Sequence, residues 1–241
     1  MTDNQQKIVL RPFFCFYGGK WRTSLHYPSP KYKRIIEPFA GAAGYSLRYA
    51  HMDITLYEID PALFKLWSWL IQVSSSEIRS LPNISNNQTV DDLNISQEAK
   101  WLIGFWINKG TVSPAKSPSK WMRDGIRPNS QWGDAIRERI AQQVEYIRHW
   151  KIINMSFENA ENTESTWFID PPYQGACGRH YKYNKINFDC LSKWCNSRKG
   201  QVIVCEQAGA NWLPFTEFRT IKSLEGANGK KRSKEVIWTQ G

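Results

Sequence analysis

Between Arg34 and Val73 the sequence reads as two strand–helix units in direct succession, and no other stretch restricts the fold as much. Arg34 to Phe39 (R-I-I-E-P-F) has the composition of a short strand and runs straight into Ala40-Gly41-Ala42-Ala43-Gly44, after which Tyr45 to Ala50 has helical composition. The pattern then repeats. Ile54 to Ile59 reads as a second strand that ends in Glu58 and Asp60, after which Pro61 at a helix start opens an apolar helix over Ala62 to Val73. Successive βα units imply an α/β sheet with its ligand at the carboxyl ends of the strands.

The 241-residue chain suits that reading, because 41% hydrophobic and 14% aromatic residues are enough to fill one core with a small insertion. No run approaches the roughly 18 apolar residues of a membrane span, and Met1 to Lys7 is polar, so a soluble cytoplasmic protein with no membrane partner is expected. Five cysteines (Cys15, Cys177, Cys190, Cys195, Cys205) show no C-x-x-C spacing, and the four histidines (His26, His51, His149, His180) lack metal-ligand spacing. Neither disulfides nor a metal site is expected. The formal charge of +10 fits either a polyanionic partner or simply a basic soluble surface.

Past Val73 the periodicity weakens. Ser74 to Asn94 is rich in Ser, Asn, Pro and Asp and reads as loop; Trp101 to Ile107 is an apolar helix; Asn108 to Trp132 carries too many Gly and Pro residues for regular structure. Ala135 to Trp150 is an amphipathic helix with Ile136, Ile140, Val144 and Ile147 on one face. Strands follow at Lys151 to Met155, Thr166 to Ile169, Gln201 to Cys205 and Glu235 to Trp238. This divides the chain into a discontinuous body, 1–73 and 150–241, and an insertion, 74–149.

Directly after the strand ending at Ile169 stands Asp170-Pro171-Pro172-Tyr173. A given tetrapeptide arises by chance in about one chain in a thousand of this length. Its chemistry suits methylation of an exocyclic amino group, a poor nucleophile whose lone pair is delocalised into the base. The Asp170 carboxylate and the Pro171 carbonyl can accept its two hydrogens, the prolines stiffen the loop, and Tyr173 can stack on an extruded base. The turn Glu37-Pro38-Phe39-Ala40-Gly41-Ala42-Ala43-Gly44 allows close backbone approach to a ligand, although structural turns look alike. Glu58 is placed either to accept ribose hydroxyls or to end its strand in solvent.

With Phe16-Tyr17-Gly18-Gly19-Lys20 near the start, these motifs fall in the order of a known family. From about Phe13 to Trp238 the chain resembles the Dam-type (class alpha) DNA adenine N6-methyltransferases, which include phage-encoded members. The resemblance implies a Rossmann-like S-adenosylmethionine-dependent methyltransferase fold with a mainly helical and loop target-recognition insertion. It implies S-adenosyl-L-methionine as cofactor, S-adenosyl-L-homocysteine as product and double-stranded DNA as partner. Phe16, Tyr17 and Lys20 match the cofactor-contacting aromatic–G-G-K element, Lys20 pairing with an anionic group. Glu37, Pro38, Phe39, Gly41 and Gly44 match the turn around the methionine moiety, Glu58 the ribose ligand and Ile59 the wall beside the cofactor adenine. Ser156-Phe157 matches the adenine-side element, with Ser156 where many relatives carry an acidic residue. Asp170 also lies near the cofactor's amino-acid portion. Because the methyl group leaves a cationic sulfur in an in-line displacement, alignment is the main catalytic contribution and no metal is required.

Target recognition is assigned to the insertion. Between Lys109 and Arg139 seven Lys or Arg face three acidic residues, with Trp121 and Trp132 interleaved, and Lys116, Lys120, Arg123 and Arg127 are the candidate DNA contacts. A solvated loop with tryptophan anchors has the same composition. Lys230-Lys231-Arg232 reads as a phosphate contact or a hairpin turn, and Arg179-His180-Tyr181 either lines a base pocket or folds over it. Three other functions remain open: cytosine-N4 methylation, methylation of RNA or protein glutamine, and a catalytically silent nucleic-acid-binding relative. Asp170 in place of Ser at the first motif position favours adenine.

Overall fold

The computed structural model describes residues 9–126, 128–222 and 232–241. Seven strands form one sheet: β1 (Arg34–Glu37), β2 (Asp53–Tyr57), β3 (Lys151–Ile153), β4 (Ser165–Ile169), β5 (Gly200–Gln207), β6 (Thr216–Lys222) and β7 (Arg232–Gln240), in the order β3-β2-β1-β4-β5-β7-β6. Among the described residues β7 is the strand that runs antiparallel, to both β5 and β6; the other pairings are parallel. This is the Rossmann-like, methyltransferase-type α/β fold expected from the sequence. Strand order reverses between β1 and β4, which pair through Ile35–Thr166 and Ile36–Trp167. In open α/β sheets the crevice at that reversal is where ligands sit.

Both faces of the sheet are buried, so neighbouring residues on one strand enter different cores. Ile35, Phe168 and Ile203 join one apolar cluster, while Ile36, Trp167, Val202 and Val204 join the other. The first cluster is covered by α1 (Pro61–Gln72), α3 (Gln97–Ile107) and α5 (Asp134–Gln143), through residues such as Trp67, Phe105 and Ile140. Asp60 caps α1, accepting from the Ala62 N–H at 2.8 Å, with Pro61 in the first turn where its missing N–H costs nothing. On the second face α6 (Phe188–Asn196) packs Leu191 and Cys195.

Several local expectations differ. Tyr45 to Ala50 is not an α-helix; Ser46–Tyr49 forms a 3-10 turn whose start is held by the Glu37 carboxylate. Within the segment read as loop, Ser75–Ser80 forms α2, capped by the Ser74 side chain, and Lys120–Arg123 forms the single turn α4. The amphipathic helix ends at Gln143 and continues as a 3-10 turn, Val144–Ile147. Among the described residues of segment 74–149, Ile78, Leu102, Phe105, Trp106 and Ile140 share the cluster that covers the sheet. Among the described residues, no helix is long and apolar enough to cross a membrane.

Candidate active site

A cavity of about 350 Å³ opens at the carboxyl ends of β1, β2 and β4, in the size range of ligand pockets. The structure brings Phe16, Tyr17, Lys20, Glu37, Pro38, Phe39, Gly41, Gly44, Glu58, Ile59, Ser156, Phe157 and Asp170 together around it, together with Pro172. Pro171 and Tyr173 lie outside the lining.

The glycine-rich turn is tied to both βα units. Gly41 adopts φ +46°, which favours glycine; its N–H donates to Glu58 Oε2 at 3.1 Å and its carbonyl accepts from Trp67 Nε1 at 2.8 Å. Gly44 has a different role from close approach to a ligand. A side chain there would meet the Trp21 N at 2.5 Å, so the missing Cβ lets the Lys20–Trp21 backbone pack onto the turn. Glu37 points into the protein, accepting from the Ser46 N–H at 2.7 Å, and burial pushes its carboxyl up to about 8.

Glu58 does not end its strand in solvent. Its two oxygens accept from the Gly41 N–H and, at 3.0 Å, the Asp60 N–H, and burial raises its carboxyl to about 7 against those stabilising bonds. Each oxygen keeps a second lone pair. Phe39 and Phe157 pack with ring centroids 5.2 Å apart, and Ile59, 40% exposed, stands at the rim.

Asp170 follows β4 and meets Lys20 from the Gly-Gly-Lys segment. Lys20 Nζ lies 2.8 Å from Oδ1 and 2.9 Å from Oδ2, and also donates to the Gly18 carbonyl at 3.1 Å. The anion expected beside Lys20 is therefore Asp170. Burial alone would lower the lysine's proton affinity, but Asp170 and Glu235 outweigh it and hold the ammonium above its ordinary range. For Asp170 burial wins over Lys20, with Glu235 and Glu206 adding to it, and the carboxyl rises to about 6. Both carboxylate oxygens therefore face the Lys20 ammonium, the hydrogen bond running to Oδ2 and the shorter ion-pair contact to the buried Oδ1.

The rest of the loop is held by residues invisible as motifs. Glu206, buried on β5, accepts from the Gln174 N–H and from Trp212 Nε1, both at 3.0 Å. The Tyr173 hydroxyl donates to Glu235 on β7 at 3.1 Å, and Lys20 Nζ stands 4.8 Å from the Tyr173 ring centroid. Gly178 packs so tightly that a Cβ there would lie 1.8 Å from the Tyr173 carbonyl oxygen. From the segment Arg179-His180-Tyr181, Tyr181 lines the cavity and donates to the Tyr17 carbonyl at 3.2 Å.

The candidate DNA contacts lie apart from the cavity, on or beside α4. Lys116 pairs with Asp91 at 2.7 Å, Lys120 with Asp124, and Arg123 donates to the Pro118 carbonyl. Trp121 is 62% exposed, while Trp132 is buried and donates to the Pro82 carbonyl, so one of the interleaved tryptophans is a core anchor. Arg127, Lys230 and Lys231 fall outside the described residues; β7 begins at Arg232. Among the described residues no group of three or more His, Cys, Asp or Glu could hold a metal ion.

The architecture and the cavity define the class as a methyltransferase-type α/β fold with a ligand crevice at the β1–β4 reversal. No protein-family model matches the sequence, and none of the curated proteins matches it. Solved structures do match. The crystal structure of a proposed methylase from Haemophilus influenzae aligns over 86% of this chain and 78% of its own, at 11% identity and a TM-score of 0.36, too distant a likeness to carry an argument about activity.

Proposed function

We propose that the protein is a site-specific, S-adenosylmethionine-dependent DNA methyltransferase of the Dam type, acting on the N6 amino group of an adenine extruded from duplex DNA. The observation that carries this reading is the Asp170 carboxylate, on the cavity wall at the end of β4, ion-paired with Lys20 and followed by the two prolines. An amino N–H that approaches this carboxylate from the cavity gains a charge-assisted hydrogen bond. It also draws electron density toward the nitrogen that must attack.

The residues present fit the cofactor. Glu58 retains lone pairs for two ribose hydroxyls after bonding Gly41 and Asp60. Phe39, Ile59 and Phe157 supply apolar walls for an adenine, and the Glu37–Gly44 turn borders the space for the methionine moiety. When bound, the cofactor supplies a methyl group on a positively charged sulfur. Lys20 holds Asp170 in place, Asp170 accepts an amino hydrogen, and the Pro171-Pro172 pair keeps that acceptor rigid.

Duplex DNA is the partner by charge and exposure. Lys120 and Arg123 share the α4 turn with the exposed Trp121, and the surface ion pairs of Lys116 and Lys120 are weak enough to be exchanged for phosphates. The test is to express the protein in a host lacking adenine and cytosine-N4 methylation, digest recovered plasmid to nucleosides and measure them by mass spectrometry. N6-methyladenine is the expected product. N4-methylcytosine would reassign the base, and an unmodified plasmid would refute the activity.

A further inference from the structure

Glu235 belongs to no motif and does not line the cavity, yet it contacts two residues that do belong to motifs. It is 6% exposed on β7, opposite Gln207 of β5 in the strand register. Oε1 accepts the Tyr173 hydroxyl at 3.1 Å and lies 3.7 Å from Lys20 Nζ, while Oε2 accepts the Tyr27 hydroxyl at 3.0 Å. Lys20 in turn pairs with Asp170 and stands over the Tyr173 ring. Lys20, Asp170, Tyr173 and Glu235 thus form a closed set in which one ammonium is shared by two buried carboxylates. A carboxylate serving only the core would be satisfied by Tyr27 and a neighbouring donor. Burying a second anion beside Asp170 is unfavourable unless its contacts with the loop matter.

The geometry points to Glu235 as a positioning residue for methyl transfer, fixing the Tyr173 ring and the Lys20 ammonium against Asp170. This rests on the proposed function of the site. Two consequences follow from removing its charge. The Tyr173 hydroxyl loses its anionic acceptor, so the loop's last residue can turn. Lys20 then pairs with Asp170 alone, and Asp170 holds its proton less tightly, because Glu235 is one of the groups pushing it up. The charged groups acting on Asp170 are Lys20, which lowers its proton affinity, and Glu235 and Glu206, which raise it; Glu37 is coupled to it, and Tyr27, Tyr173, Tyr181 and Cys205 are held neutral by burial.

The experiment compares the full chain with Glu235→Gln, Tyr173→Phe and the double variant. Turnover, KM for cofactor and for DNA, and melting temperature are measured for each. The Asp170 titration midpoint is read from its ¹³C carboxyl resonance, assigned with Asp170→Asn. Glu235→Gln is expected to lower kcat by about tenfold with both KM values within about threefold, since small misplacements act on alignment rather than binding. The double variant should be little slower than the slower single, because both break one bond. The Asp170 midpoint should fall below its value in the parent, near 6. Unchanged kcat and an unchanged midpoint would overturn the inference, and a lowered melting temperature would then mark Glu235 as a core residue. If Glu235→Gln fails to fold, Tyr173→Phe decides: parental kcat there overturns the positioning role. If the parent transfers no methyl group, the functional reading fails separately and the midpoint decides alone, an unmoved one overturning the inference.

Discussion

Glu58 gives the account a pH signature. Its folded-state carboxyl lies near 7 against 4.5 in a free chain, because burial outweighs the backbone N–H donors of Asp60, Gly41 and Ile59. The sign for stability follows directly. A raised carboxyl favours the folded state at low pH, and that contribution is lost as pH rises through about 7. Cofactor binding runs the other way, because ribose hydroxyls bond best to the ionised form. With a midpoint of 7 only about one tenth of Glu58 is ionised at pH 6, so apparent affinity there should be about tenfold weaker than at pH 8, or about 1.4 kcal/mol. Glu58→Gln should lose this contrast and bind about 1.5 to 3 kcal/mol more weakly at pH 8, the range for a charged hydrogen bond. Calorimetric titration of S-adenosylhomocysteine into parent and variant from pH 5.5 to 8.5 measures both. Subtracting the variant's curve removes titration of the ligand, Asp170 and Glu37. Parallel curves would refute the assignment of Glu58 to the ribose.

Asp170→Ala should abolish transfer and also destabilise the fold by about 3 kcal/mol, because it strips a buried ammonium of its nearest anion; Asp170→Asn should abolish transfer with a smaller drop in melting temperature. Gly178→Ala should push the Tyr173 carbonyl aside and cut turnover by roughly a hundredfold, with cofactor affinity nearly unchanged in the same titration. Lys116→Ala, Lys120→Ala and Arg123→Ala should each reduce the salt slope of DNA binding by about one unit on cognate and scrambled duplexes alike. Trp121→Ala should weaken DNA binding while leaving melting temperature unchanged, since its ring is mostly in solvent.

What the sequence revealed follows from how each element is buried. β1, β4 and β5 are covered on both faces and read as apolar runs, so their positions were legible, and with them the turn after β1 and the tetrapeptide after β4. β6 (T-E-F-R-T-I-K) places few apolar residues among exposed ones at the sheet's edge, and carried no strand signal. α6 follows a polar, glycine-containing segment and buries little beyond Leu191 and Cys195, a stripe too narrow to stand out. Much of the cavity lining was legible because it falls on short local patterns, Phe16 to Lys20, Glu37 to Gly44 and the tetrapeptide after β4. Glu206 and Glu235 were not, because they reach the loop from β5 and β7 through tertiary contacts, and a single carboxylate in a strand has no local signature. The glycines of the turn after β1 look alike in sequence but act differently, since Gly41 bends the turn whereas Gly44 makes room for Lys20 and Trp21.

In the proposed reaction Asp170 directs a methyl group onto an adenine amino nitrogen. Purified protein incubated with duplex DNA and cofactor carrying a trideuterated methyl group tests it most directly, with the DNA digested and its nucleosides separated by mass. Trideuterated N6-methyladenine is expected from the parent and none from Asp170→Asn, which should remain folded. Label on cytosine, no label in DNA, or parental labelling by Asp170→Asn would contradict it.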